Sequence, residues 1–222
     1  MSLRSEHDRE RELLLCCART QASPQTVSRL RYLATQNLDW DYLFNLARRH
    51  ALIPLLYVNL AREGADLIPY SFLAKLKMQY QENYARNIIL TNELCRLIDI
   101  FKQAGIEAIP YKGPALALFA YGDLGLRRFV DLDLIVKKSD VPRARDLLFK
   151  EDYRLSKPLT PAQQDLLLRT QHNLQFEQEA TIVTRELQVV LCAQQQVLLR
   201  FSEGLAQRVV FFEQQIAGAR HV

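Results

Sequence analysis

Apolar residues recur at three- and four-residue spacing through the first hundred positions and alternate with polar ones afterwards, so the chain reads as helices followed by strands. Leu13-Leu14-Leu15-Cys16-Cys17, set between charges, predicts an amphipathic helix within 8–20. Ser23-Pro24 pairs an N-cap residue with a first-turn proline and predicts a second helix near 24–36. Asp39 caps a third that carries Trp40, Leu43, Phe44 and Leu46; Pro54 either interrupts it or begins the next. Pro69-Tyr70-Ser71 opens a long helix to about Gln103, and Gly105 ends it. Its apolar stripe runs through Leu73, Leu76, Tyr80, Tyr84, Ile88, Leu94 and Leu97. Tyr80 and Tyr84 lie on that stripe, so core packing is expected of them rather than a stacking platform.

The period then changes. Ile106 to Lys112 reads as a strand, and Gly113-Pro114 turns it directly into a helix through Tyr121. After the turn Gly122-Asp123-Leu124-Gly125 and the pair Arg127-Arg128, the stretch Phe129 to Val136 alternates strictly. Val130, Leu132, Leu134 and Val136 form one face of a strand; Asp131, Asp133 and Ile135 form the other. Ser139-Asp140-Val141-Pro142 begins a further helix with Ala144, Leu147 and Leu148 inward. A loop follows around Ser156 to Pro161, then a short helix at Leu166-Leu167-Leu168. Two more strands are expected, His172 to Phe176 and Ile182 to Leu191, with Glu177-Gln178-Glu179 in the turn between them. The alternation of strand and helix argues for a sheet packed against helices.

Composition narrows the function classes. The chain has 222 residues, 49% apolar and 24% charged, as in an ordinary globular protein. A net charge of +4 permits anionic substrates without demanding nucleic acid. Cys16, Cys17, Cys95 and Cys192 form no C-x-x-C pair, which argues against zinc and a disulfide framework and fits the cytoplasm. The charged N-terminus lacks a signal-peptide core, and no apolar run reaches the roughly 18 residues of a membrane span. His50, in Arg48-Arg49-His50, is expected at the surface rather than as a ligand.

Asp131 and Asp133 are the candidate chemistry. Carboxylates are disfavoured in strands, and two on one face repel unless a cation sits between them. Mg²⁺ often takes one or two carboxylates plus substrate phosphates. The competing reading is a solvated acidic face. Upstream, Lys112-Gly113 leads into a helix N-terminus, where backbone N–H groups suit phosphate. Glu186 is the candidate third carboxylate, with pairing to Arg185 as the alternative.

Tyr111-Lys112-Gly113-Pro114-Ala115-Leu116, Tyr121, Arg128-Phe129-Val130-Asp131-Leu132-Asp133-Leu134-Ile135-Val136 with Arg127 beside it, and Glu186-Leu187-Gln188 together resemble the uncharacterised nucleotidyltransferase family of the polymerase-β-type superfamily. The resemblance implies an α+β fold: a mixed-sheet, polymerase-β-like core over 105–222 flanked by helices, behind a helical region over 1–104. It implies transfer of a nucleoside monophosphate from an NTP to an acceptor hydroxyl, with loss of pyrophosphate. Asp131, Asp133 and Glu186 would be catalytic and hold two Mg²⁺, with Mn²⁺ as a substitute. Lys112, Gly113 and Arg127 or Arg128 would serve the nucleotide phosphates. The acceptor stays open among a small molecule, a tRNA and a protein. The chain has Pro114 where many members of the superfamily have Ser, and Gln188 where the family has His. Members tend to continue further, so a shortened C-terminus is expected, with Val209 to Phe212 partly exposed and prone to self-association. A nucleotide-binding module without turnover and a helical interaction protein are the alternatives.

Overall fold

A computed structural model describes residues 7–156, 160, 163, 173–178 and 185–192, with Asn173 and the last strand known by their backbone alone. The expected helix at Leu166-Leu167-Leu168 and the segment Val209 to Phe212 lie outside the described residues. The chain forms two compact units, Met1–Ile88 with Phe119–Phe129, and Ile89–Leu118 with Val130–Val222.

The first unit is helical: α1 (Asp8–Cys17), α2 (Pro24–Ala34), α3 (Trp40–Arg49), α4 (Ile53–Glu63) and the first part of α5 (Tyr70–Gln103). Local signals set these ends. The Ser23 hydroxyl accepts from the Thr26 N–H at 3.3 Å, and the Asp39 carboxylate from the Tyr42 N–H at 2.8 Å. Pro54 sits in the first turn of α4, so it begins that helix and does not break α3. Leu13, Cys17, Leu30, Leu43, Leu56, Leu60 and Leu76 make a contiguous apolar core. Inside it the Asn59 amide donates to the carbonyls of Cys17, Arg19 and Leu55, which ties the end of α1 to α4.

The stripe of α5 differs from the expected one. Asn83, Asn87 and Thr91 are buried in its middle, whereas Tyr84 is 40% exposed. Tyr80 is half-buried and stacks with Tyr57 and Tyr84, at ring centroid distances of 5.1 and 6.3 Å. Burial chiefly, then the charge of Asp123, pushes the Tyr80 phenol up to about 12. Three backbone carbonyls in the 124–127 loop take the buried amide N–H groups, which explains the exchange of tyrosine for asparagine. Asn83 donates to Gly125 at 3.0 Å, and Asn87 to Leu124 at 2.6 Å and Arg127 at 2.8 Å.

The second unit carries a five-stranded mixed sheet in the order β1-β2-β5-β4-β3, from β1 (Ala108–Pro110), β2 (Asp131–Lys137), β3 (Arg154–Leu155), β4 (Asn173–Gln178) and β5 (Arg185–Cys192). β2 pairs with β1 antiparallel and with β5 parallel; β4 joins β5 and β3 antiparallel. The fold is α+β. β1 is shorter than Ile106 to Lys112, and Val130 is 47% exposed, outside β2. Glu177 and Gln178 belong to β4 rather than to a turn, because their register partners in β5 are Glu186 and Arg185. β3 was not expected. Helices α6 (Gly113–Leu116), extended by a π-helical turn to Tyr121, and α7 (Val141–Lys150) follow, with 3-10 turns at Leu124–Leu126 and Lys138–Asp140.

Within this unit, Glu93 of α5 is buried and bonds Arg96 (2.8 Å) and the Tyr153 hydroxyl (2.9 Å); Arg96 also pairs with Glu151 at the end of α7. The two carboxylates hold the Arg96 guanidinium well above its usual range. This network fixes α5 to the edge of the sheet.

Candidate functional site

β2 supplies the centre. Leu132, Leu134 and Val136 are fully buried, as alternation requires. The opposite face is not a solvated acidic one: Asp131 is half-buried, and the Asp133 side chain is only 1% exposed. Burying an ionised carboxylate costs several kcal/mol, on the order of what a close counter-charge returns. The ion-pair partner of Asp133 is Lys112, whose Nζ lies 3.9 Å from Oδ1, at the outer limit of an ion pair.

β1 delivers that lysine. Its ladder with β2 pairs Pro110 with Leu134, and one residue later the Tyr111 N–H donates to the Asp133 carbonyl at 3.0 Å. Lys112 is therefore anchored by backbone beside the carboxylate, with its ammonium 5.2 Å from the Tyr111 ring centroid. The chain then turns sharply. Gly113 has φ of +50° and is buried, a conformation that glycine adopts without strain. Pro114 follows in the first turn of α6, and its ring offers no hydroxyl.

β5 runs parallel to β2 in a register that pairs Asp131 with Glu186 and Asp133 with Gln188. Register partners in neighbouring strands lie about 4.8 Å apart and share a face of the sheet. Glu186 thus occupies the position beside Asp131, and Gln188 the position beside Asp133. Arg127 and Arg128 belong to the first unit. The Arg127 carbonyl is held by Asn87, and Arg128 lines a cleft there with Arg48 and Arg86.

The donor chemistry suits a hard divalent cation: two described carboxylates on one strand face, one of them buried, is the oxygen set that Mg²⁺ uses alongside substrate phosphates. Among the described residues no group of three or more His, Cys, Asp or Glu could hold a metal ion.

A family model for uncharacterised nucleotidyltransferases matches residues 36–215. The chain belongs to that family. The match covers Lys112-Gly113, the Asp131–Asp133 strand and Glu186, and membership supports general nucleotidyl transfer. No curated protein matches the chain. In this member of the family, Asn83 and Asn87 are the residues that sequence reasoning missed. They fall inside the matched range and set the path of the Leu124–Arg127 loop. Their four-residue spacing, continued by Thr91, is a polar line on one face of α5 and was the available signal. Among the described residues no helix is long and apolar enough to cross a membrane, and Cys16 and Cys17 are free thiols.

Proposed function

We propose that the chain moves a nucleoside monophosphate from Mg-NTP to an acceptor hydroxyl and releases pyrophosphate. The observation that carries this reading is the buried Asp133 carboxylate on the face it shares with Asp131, with Lys112 held beside it by β1. The resemblance and the family match support the same chemistry. In this reading Asp131, Asp133 and Glu186 would hold the metal, which would supply Lewis-acid stabilisation of charge at the transferred phosphoryl group. The residues of the chain do the rest. Gly113 lets phosphate oxygens approach the backbone, and the Lys112 ammonium moves from Asp133 towards the β- and γ-phosphates as they arrive. The acceptor oxygen forms its bond to the α-phosphorus on the face opposite the leaving group. The bond from α-phosphorus to the bridging oxygen breaks, pyrophosphate departs, and the hydroxyl proton is released.

Pyrophosphate release from labelled NTPs, with the protein added to a lysate that supplies acceptors, tests the reading. Asp133→Asn should lower the rate at least roughly 10³-fold with the fold intact by circular dichroism. Unchanged turnover in that variant overturns the assignment. A second reading has one observation in its favour: Pro114 leaves no hydroxyl beside Gly113. Mg-ATP binding by calorimetry without pyrophosphate release under any condition would make the chain a nucleotide-binding module instead.

A further inference from the structure

The first unit contains a cleft of about 120 Å³, and of its lining only Arg128 figures in the chemistry that the resemblance implies. Arg48, Arg86 and Arg128 line it, together with Gln79, Glu82 and Asn83. Arg48 stands on the last turn of α3, Arg86 within α5, and Arg128 in the loop that Asn83 and Asn87 hold. Elsewhere in this unit Arg11, Arg29, Arg31 and Arg62 are fixed by the carboxylates of Asp8, Glu12, Asp66 and Glu63, and Arg19 bonds the Thr26 hydroxyl and the Leu15 carbonyl. Arg48, Arg86 and Arg128 have no ion pair and no side-chain hydrogen bond among the described residues. Nor has Arg49, which with Arg48, Tyr42 and Asn45 lines an open hollow. The dipole of α3 favours cations on its last turn and accounts for Arg48 and Arg49. It does not account for Arg86 or for Arg128.

Two further observations point to an anion. Glu82, the carboxylate in the lining, accepts from the neutral Gln79 amide at 2.7 Å and not from an arginine. Asn83 is 6% exposed, and its Oδ1 has no hydrogen-bond partner among the described residues. A buried acceptor in that state is destabilising until a donor reaches it. A guanidinium drawn inward by an anion, or the hydroxyl of a protonated phosphate, is such a donor. Guanidinium groups match phosphate oxygens in pairs. The cleft is well below the roughly 300 Å³ at which pockets for whole small molecules begin, so it suits an oxyanion head rather than a nucleotide. The small net charge of +4 favours one oxyanion over a nucleic-acid backbone.

We propose that this cleft binds a phosphate-sized oxyanion, either free phosphate or the terminal phosphoryl group of a small ligand. The assignment does not rest on the nucleotidyl-transfer reading. Calorimetric titration of the full chain with inorganic phosphate at low ionic strength tests it. Saturable one-to-one binding is expected, weakened roughly tenfold in Arg86→Gln and again in Arg128→Gln. Glu82→Gln should tighten phosphate binding several-fold, a gain that misfolding does not produce. Phenyl phosphate in parallel separates the sources: tighter binding than inorganic phosphate assigns an esterified head, and weaker binding assigns the free ion. No phosphate binding, equal binding in the arginine variants, or binding only to an oligonucleotide overturns the proposal.

Discussion

Asn87→Ala should destabilise the protein by about 2.5–5.5 kcal/mol. Asn87 is 0% exposed and its amide donates to two carbonyls, Leu124 at 2.6 Å and Arg127 at 2.8 Å. Truncation removes both bonds. The Leu124 carbonyl is in a buried bond and loses the Asn87 donor, which costs roughly 1–3 kcal/mol; the part-buried Arg127 carbonyl recovers water and costs nearer 0.5–1.5 kcal/mol. The vacated side-chain volume adds about 1 kcal/mol. Against a total stability of about 5–15 kcal/mol, the loss is large. Urea unfolding reads it as a lower midpoint at unchanged slope. Hydrogen exchange gives the local view: amides in 119–129 should exchange at least tenfold faster, while those of α2 stay protected. Asn87→Asp keeps the shape but sets a carboxylate against two carbonyls, so it should cost at least as much as alanine. A loss below about 0.5 kcal/mol in the alanine variant, or an aspartate variant as stable as the native chain, refutes the donor argument.

Three further outcomes are expected. Gly125→Ala places a Cβ 2.7 Å from the Tyr80 hydroxyl and 2.9 Å from the Tyr84 ring, and should cost about 1–3 kcal/mol in denaturant titrations, partly recovered when Tyr80→Phe is added. Burial pushes the Cys17 thiol up to about 12 from 9.0, so the folded state keeps its proton where the unfolded state has lost it. That stability is complete below pH 9 and is lost as pH rises towards 12, at up to about 1.4 kcal/mol per pH unit, and thermal melts of Cys17→Ala should lack this slope. Glu186 is the register partner of Asp131, so Glu186→Gln should reduce the rise in melting temperature that Mg²⁺ produces; an equal rise in both proteins removes Glu186 from the site.

What the sequence determined by itself was local. Ser23, Asp39, Pro54 and Gly105 act on backbone groups within a turn of themselves, so helix ends were legible from residue type and spacing. The two-residue period of Leu132, Leu134 and Val136 likewise placed Asp131 and Asp133 on one face before any partner strand was known. Tertiary structure decided what lies beyond a turn. Periodicity sorts side chains by apolarity alone, and so it put Tyr84 inside and Asn87 nowhere. Asn87 is buried because the Leu124 and Arg127 carbonyls, some forty residues on, need its donors. β3, Arg154–Leu155, is too short to show a period and exists only through β4. The depth of Asp133 and the position of Glu186 beside Asp131 follow from the pairing of β2 with β1 and β5, a non-local choice that no single strand contains.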